Sequence, residues 1–346
     1  MPQVVFEPIG EEIECGEEES ILDAAFRQGY NLVYGCREGQ CSACKCYLLE
    51  GEVALKPYST FALSETEEAN GYTLMCRAMP EEDLVVELLH FDPDNYRLEN
   101  PIREGSATVI TSEALTHDIQ RLQLKVDAPL DFSFEPGQYV DITVPGGDAT
   151  RSFSMANLPD GNIELMIKRY PGGRFSGLLD GEIAEGSRLD FTGPYGSFRL
   201  RATERPVLLV AGGSGMAPVL SLLRRLAADR STRPVRFYYG ARTQADLFHL
   251  DQVEELGARL DDFAFVPVLS ESGPEGAELG LVHEAACGCL ERGELSDAEV
   301  YTCGPPPMID ALIEQLVDGR GFDESRIFYD KFTTSAEAAE GATHDR

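Results

Sequence analysis

Apolar and polar residues alternate with a period of two through residues 102–201. Ala107-Thr108-Val109-Ile110-Thr111, Leu122-Gln123-Leu124-Lys125-Val126 and Tyr139-Val140-Asp141-Ile142-Thr143-Val144 read as strands. Turns such as Glu135-Pro136-Gly137-Gln138 and Pro145-Gly146-Gly147-Asp148 separate them, so an antiparallel β-barrel is expected. From about residue 206 the pattern changes. Pro206-Val207-Leu208-Leu209-Val210-Ala211 is apolar throughout, as in a strand buried on both faces. Val219, Leu220, Leu222, Leu223 and Leu226 then recur at helical spacing. Further strands are expected at 235–239, 263–269 and 299–303, with helices near 246–258, 281–291 and 307–317. This β-α alternation predicts an α/β domain with a doubly wound parallel sheet. Before residue 98 the chain carries a cysteine cluster, and Asp92-Pro93-Asp94-Asn95-Tyr96-Arg97-Leu98-Glu99-Asn100-Pro101 reads as a linker. The expected domains are 1–98, 99–201 and 202–334, followed by a small, polar, disordered tail at 335–346.

Composition narrows the function. A chain of 346 residues with 43% hydrophobic content can bury more than one core. Its formal charge of −31 opposes binding to nucleic acid. Residues 1–100 hold 21 acidic and 6 basic side chains, a net −15, which favours a docking role there as well as solubility. Nine unevenly spread cysteines do not make a secreted disulfide framework; a local cluster in a large chain points to metal in a reducing compartment. Met1-Pro2-Gln3-Val4-Val5-Phe6-Glu7 does not resemble a signal peptide, and no stretch approaches the ~20 apolar residues of a membrane span. A cytoplasmic protein is expected.

Cys36, Cys41 and Cys44 follow C-x4-C-x2-C spacing. Thiolates are soft iron ligands, and this spacing with a distant fourth cysteine fits a [2Fe–2S] site. Cys76, 32 residues beyond Cys44, is the candidate for the fourth. Gly35, Gly39, Ser42 and Ala43 are small enough for backbone N–H groups to approach the sulfurs. A structural zinc site is the plain alternative. A ligand set confined to the loop, with Cys46 replacing Cys76, is another. His283, Cys287 and Cys289 lie close in sequence but read better as core residues of a helix. Cys15 has no partner by spacing. No Ser/His/Asp or paired-carboxylate arrangement stands out among the other residues.

Cys36-Arg37-Glu38-Gly39-Gln40-Cys41-Ser42-Ala43-Cys44, followed by Leu48-Leu49-Glu50-Gly51-Glu52-Val53 and Leu74-Met75-Cys76-Arg77, resembles the plant-type ferredoxin domain of flavin reductases, a β-grasp fold of the α+β class. Arg151-Ser152-Phe153-Ser154 resembles the R-x-Y/F-S motif of the ferredoxin-NADP reductase superfamily. That resemblance implies that Arg151 neutralises the FAD pyrophosphate, Phe153 packs on the flavin and Ser154 hydrogen-bonds near N5. In Ile167-Lys168-Arg169-Tyr170-Pro171-Gly172-Gly173-Arg174-Phe175-Ser176, the segment Gly173 to Ser176 resembles the G-x-x-S turn opening a helix that holds the pyrophosphate. Ile167, Lys168, Gly173, Arg174, Phe175 and Ser176 are candidate FAD contacts. Lys168, Arg169 and Arg174 form a basic patch in an acidic chain. Gly212-Gly213-Ser214-Gly215-Met216-Ala217-Pro218 is similar to the G-G-x-G-x-A-P nucleotide turn of the same superfamily. Cys303, Gly304 and Pro305 resemble its partner motif, which places Cys303 beside the nicotinamide. Gly240 and Arg242 end the strand near the adenosine ribose in relatives. Arg242 has no dense basic neighbourhood, which favours NADH over NADPH. Phe332 resembles the C-terminal aromatic that covers the flavin in some relatives, or is a core residue.

Taken together, residues 1–334 resemble three-domain reductase components with ferredoxin, FAD and NAD domains in that order. The nearest likeness is to the reductases of soluble diiron monooxygenases of the methane, propane, alkene and phenol type. The resemblance implies hydride delivery from NADH to FAD, with Ser154 and Cys303 at the transfer locus. Single electrons then pass to the [2Fe–2S] cluster and on to an oxygenase docked on the acidic ferredoxin domain. A reductase of an aromatic ring-hydroxylating dioxygenase is the alternative. An iron-sulfur redox sensor is the alternative of another class.

Overall fold

Val4 and Phe6 of the first strand are fully buried while their neighbours face outward, so one face of the N-terminal sheet becomes a core. The structure is a computed structural model that describes residues 1–91, 96–147, 149–291, 295 and 297–332. The tail expected at 335–346 lies outside the described residues. Two compact units are present, one built from Met1–Ile102 and one beginning at Arg103.

The first unit contains β1 (Gln3–Glu7), β2 (Glu11–Glu14), α1 (Ile21–Arg27), β3 (Lys45–Glu50), β4 (Val53–Leu55), α2 (Glu65–Ala69), β5 (Tyr72–Leu74), β6 (Ala78–Pro80) and β7 (Leu84–Leu88). The main sheet has the order β2-β1-β7-β3-β5, with β1 and β7 parallel and the other pairs antiparallel. Strands β4 and β6 form a separate ribbon. Ser20 starts α1 by accepting the Asp23 N–H, and the helix buries Ile21, Leu22, Ala24, Ala25 and Phe26. This is the expected β-grasp. The segment 96–98 runs back along this unit. Asn31 N–H donates to Tyr96 O at 2.8 Å and Leu98 N–H to Gly29 O at 2.9 Å. The Arg97 guanidinium lies 3.8 Å from the Tyr30 ring centroid and pairs with Glu11 at 3.0 Å.

The second unit opens with β8 (Arg103–Ala114), β9 (Ile119–Val126), β10 (Tyr139–Thr143), β11 (Thr150–Ser154), β12 (Asn162–Lys168) and β13 (Arg188–Tyr195). Their order is β11-β10-β13-β8-β9-β12, and a bridge between Met155 and Leu165 brings the two edges together. The alternation in the sequence thus becomes a nearly closed antiparallel barrel with Leu122, Leu124, Val140, Ile142 and Ile163 inside.

There follow β14 (Val207–Gly212), α3 (Met216–Ala228), β15 (Val235–Thr243), α4 (Leu250–Gly257), β16 (Phe263–Ser272), β17 (Glu278–Leu279), α5 (Val282–Glu291), β18 (Glu299–Gly304), α6 (Pro306–Arg320) and β19 (Ile327–Lys331). The parallel sheet runs β17-β16-β15-β14-β18-β19, with β14 buried along its whole length. The helix expected from 246 starts only at Leu250. Thr243 and Asp246 cap each other's backbone around a one-turn 3₁₀ helix, and His249 then adopts φ +58°. Strands β17 and β19 were not expected.

A polar clamp joins barrel and nucleotide sheet. Arg224 of α3 donates to Ala156 O at 2.6 Å and pairs with Glu164 of β12 at 3.0 Å, while Ser221 donates to Asn157 O at 2.8 Å. Arg121 approaches Glu164 from the other side at 3.0 Å. Burial alone would raise the Glu164 carboxyl, but Arg224 and Arg121 hold it below its ordinary value. This fixes β12, and with it the end of β11, against the middle of α3.

Candidate cofactor sites

Cys36 and Cys41 lie in the loop between α1 and β3, Cys44 immediately precedes β3, and Cys76 lies in the turn between β5 and β6. Arg37, Gly39 and Ser42 take positive φ values of 59°, 71° and 54°, which curl the loop inward. Three N–H groups then face sulfur: Cys36 to Cys41 Sγ at 3.2 Å, and Glu38 and Gln40 to Cys36 Sγ at 3.4 and 3.2 Å. Gly39 N–H donates to the Cys76 sulfur. A Cβ at Gly35 would come within 2.8 Å of Cys41 Sγ, so the close approach needs glycine.

The sulfurs associate in two pairs. The Cys41 thiol, assisted by backbone N–H groups, lowers Cys36, and Cys41 is pushed far up by Cys36 and burial. Cys76 is likewise pushed far up, first by Cys44 and then by burial. A single tetrahedral zinc ion would hold all four sulfurs about 3.8 Å apart. Among the described residues, the one trio of metal-capable groups with donor atoms within 4.8 Å is His117, Asp118 and Asp246. Four cysteine sulfurs in two pairs are the donor set that would hold a [2Fe–2S] cluster. Cys46 differs: it is fully buried in β3, and burial alone pushes its thiol up to about 12. Cys15, Cys287 and Cys289 are also buried core residues.

In the flavin motif, strand alternation divides the four residues. Arg151 and Phe153 are half-buried, whereas Ser152 points the other way and donates to Asp141 at 2.6 Å. Ser154, at the strand end, is buried. The Phe153 and Phe175 rings lie 4.8 Å apart. Ile167 is buried in the barrel core, and Lys168 pairs with Asp118 at 3.3 Å. Gly173 and Ser176 do not open an α-helix; residues Ser176–Asp180 make a short 3₁₀ helix. The Ser176 hydroxyl folds back, accepting Tyr170 N–H at 3.1 Å, and a Cβ at Gly173 would come within 2.3 Å of it.

In the nucleotide motif, Gly213 adopts φ +56°, and Ser214 lies in the 3₁₀ turn of Gly213–Gly215 that leads into α3 at Met216 and Ala217. A Cβ at Gly215 would come within 2.2 Å of Cys303 O. Gly212 and Gly240 are equally confined, by Met308 Sδ at 2.8 Å and by Val282 Cγ1 at 2.7 Å. Gly304 ends β18 and Pro305 caps α6. Arg242 is tied to Asp246 at 3.3 Å and Asp118 at 3.7 Å, with His117 Nε2 at 3.3 Å. Arg242 and Lys168 neutralise Asp118 and Asp246, whose carboxylates would otherwise be the donors for a metal.

Two predicted residues from distant segments, Ser154 and Cys303, meet a third that the sequence did not reveal, Asp330. Cys303 is directly opposite Asp330 in the β18–β19 register. Ser154 of the barrel donates its hydroxyl to the Asp330 carboxylate. Phe332 N–H donates to Gly304 O at 3.0 Å, and its ring packs against the nucleotide-domain core. Burial pushes Asp330 up to about 6 against the opposing Ser154 hydrogen bond. Burial, with Asp330 beside it, pushes the Cys303 thiol well above its ordinary value. The group is therefore a neutral thiol, a hydroxyl and a carboxyl able to exchange a proton near neutrality. The one available signal was an acidic residue within the aromatic segment Phe328-Tyr329-Asp330-Lys331-Phe332.

The fold and these sites define a three-domain iron-sulfur flavoprotein reductase. Residues 4–81 match the 2Fe-2S iron-sulfur cluster binding domain family, 106–200 the oxidoreductase FAD-binding domain and 209–313 the oxidoreductase NAD-binding domain. The chain is 46% identical over 341 residues to the reductase component of propane 2-monooxygenase from Mycolicibacterium goodii, covering 96% of this chain and 97% of that one. It is 38% identical to the reductase component of phenol 2-monooxygenase from a Pseudomonas species (97% and 96% covered), and 34% identical to the toluate 1,2-dioxygenase electron transfer component of Pseudomonas putida (94% and 95%). Among solved structures, a cytochrome P450 reductase from Amycolatopsis superposes with a TM-score of 0.87 at 33% identity, covering 96% of this chain and 99% of that one. The chain belongs to the family of oxygenase reductase components that carry [2Fe–2S], FAD and NAD domains. Among the described residues, no helix is long and apolar enough to cross a membrane.

Proposed function

We propose that this chain takes electrons from NADH and supplies them to the oxygenase component of a diiron monooxygenase of the propane or phenol type. When bound, FAD accepts hydride from the nicotinamide, and the [2Fe–2S] cluster carries electrons singly. The carrying observation is the convergence of Ser154, Cys303 and Asp330 where barrel and nucleotide sheet meet. Ser154 orients the reacting edge of the flavin, and the Cys303 thiol packs beside the nicotinamide. Asp330 holds the Ser154 hydroxyl in place and accepts or returns a proton there. Arg151, Phe153 and the 173–176 turn hold FAD. Gly212, Gly213 and Gly215 let the NADH diphosphate approach the start of α3. Cys36, Cys41, Cys44 and Cys76 hold the cluster, and Cys46 is a bystander.

NADH is the favoured donor because Asp118 and Asp246 already neutralise Arg242, leaving it poorly suited to a 2′-phosphate. The monooxygenase partner is favoured over a dioxygenase by the higher identity to the propane relative. It would dock on the acidic residues of 1–98. Purified, cofactor-loaded protein should reduce ferricyanide rapidly with NADH and much more slowly with NADPH. Loaded protein inert with both would refute the reductase reading and leave the redox sensor.

A further inference from the structure

Phe61 is 77% exposed, more than any other large apolar side chain among the described residues except the terminal Met1. Its backbone is nevertheless fixed. Ser59, buried, donates its N–H to Gly39 O at 2.9 Å, and its carbonyl accepts from Ala62 at 2.9 Å and Leu63 at 3.2 Å. Its hydroxyl accepts the Phe61 N–H at 3.3 Å. Ala62 and Leu63, the next two residues, are buried. The turn therefore holds the ring outward rather than leaving it loose. It does so beside the cluster loop, because Gly39 lies between Cys36 and Cys41 and donates its N–H to the Cys76 sulfur. An uncovered aromatic ring on a hydrogen-bonded backbone has the form of an interface anchor.

The neighbouring segments carry exposed acidic side chains, with Arg77 also packed beside Gly39. Glu38 on the cluster loop and Glu65 and Glu68 on α2 are exposed. The Tyr58 hydroxyl donates to Glu68 at 2.5 Å, and Glu68, with burial and Glu65, pushes that phenol up to about 12. Glu67 is different, since Lys45 pairs with it at 2.6 Å. The acidic face fits a basic surface on another protein.

Building on the reading of this chain as an oxygenase reductase, we propose that Phe61 anchors the electron-delivery face. Its ring enters an apolar pocket of the oxygenase component, and lysine and arginine side chains around that pocket meet Glu38, Glu65 and Glu68. The test uses full-length, cofactor-loaded reductase and the oxygenase component of the Mycolicibacterium goodii propane system. Dissociation constants are measured by titration calorimetry across a salt series. Phe61→Ala should weaken binding at least tenfold, while Phe61→Tyr keeps it. Glu65→Gln with Glu68→Gln should weaken binding less and flatten its salt dependence. NADH-driven ferricyanide reduction should stay unchanged in all of them. Phe61→Ala that binds like the wild type overturns the anchor alone. So does Phe61→Ala that keeps its affinity but slows reduction of its own cluster, which would assign this face to the internal flavin. Wild-type protein that binds no such oxygenase overturns the partner reading on which the proposal rests.

Discussion

Asp330→Asn removes a carboxylate that its surroundings disfavour. The residue's ordinary pKa is 3.8, and burial raises it to about 6. A rise from 3.8 to about 6 corresponds to at most ~3 kcal/mol. The sign follows from linkage. An acid raised on folding contributes stability that is fully present below its unfolded pKa and is lost as pH rises through the folded one. Wild-type protein therefore forfeits this stability between pH 3.8 and about 6. Asparagine preserves the shape and an acceptor for Ser154 without the charge. The variant should unfold at higher temperature than the wild type. The gain should be at most about 3 kcal/mol at pH 7–8 and about half its pH 7–8 value at pH 5. The assay is thermal or urea unfolding of cofactor-loaded protein across that range. The same variant should slow NADH-dependent flavin reduction while NADH affinity changes little. A variant no more stable than wild type at pH 8, or one whose advantage shrinks as pH rises, would refute the reasoning.

Further predictions follow from the same geometry. Cys76→Ser should abolish the visible cluster spectrum and Cys46→Ser should preserve it; the reverse result would reinstate a ligand set confined to the loop. Gly215→Ala forces a methyl to within 2.2 Å of Cys303 O. It should raise the KM for NADH at least tenfold and destabilise the nucleotide domain by about 1–3 kcal/mol, measurable by steady-state kinetics and urea unfolding. Arg224→Met leaves Glu164 facing only Arg121 in a buried setting. A loss of about 3–5 kcal/mol in the second unit is expected, with slower hydride transfer read by stopped-flow absorbance.

Much of this architecture was legible because period and burial agree. Tyr139–Thr143 alternates and becomes a barrel strand with Val140 and Ile142 inside; Val207–Gly212 does not alternate and becomes the buried centre of a parallel sheet. The cysteine spacing located the ferredoxin loop, but only the β3 core position of Cys46 separates it from its neighbours. Strand period also explains Ser152, which must face away from Arg151 and Phe153. Asp330 was not legible. Its chemistry arises from the pairing of β19 with β18 and from the barrel serine that the Arg224 clamp brings near, and neither contact leaves a local sequence pattern. Phe61 was missed for a similar reason: exposure is a property of the fold, and one aromatic in a polar turn reads as a core residue.

Anaerobic titration of the cofactor-loaded protein with NADH, followed by visible absorbance and electron paramagnetic resonance, tests the central claim most directly. The account predicts that the flavin bleaches and that a reduced [2Fe–2S] signal appears in the same titration. The cluster signal should depend on intact Cys36, Cys41, Cys44 and Cys76, whereas flavin bleaching should not. A flavin that bleaches while the cluster stays oxidised, or a protein that binds NADH and reduces neither centre, would contradict it.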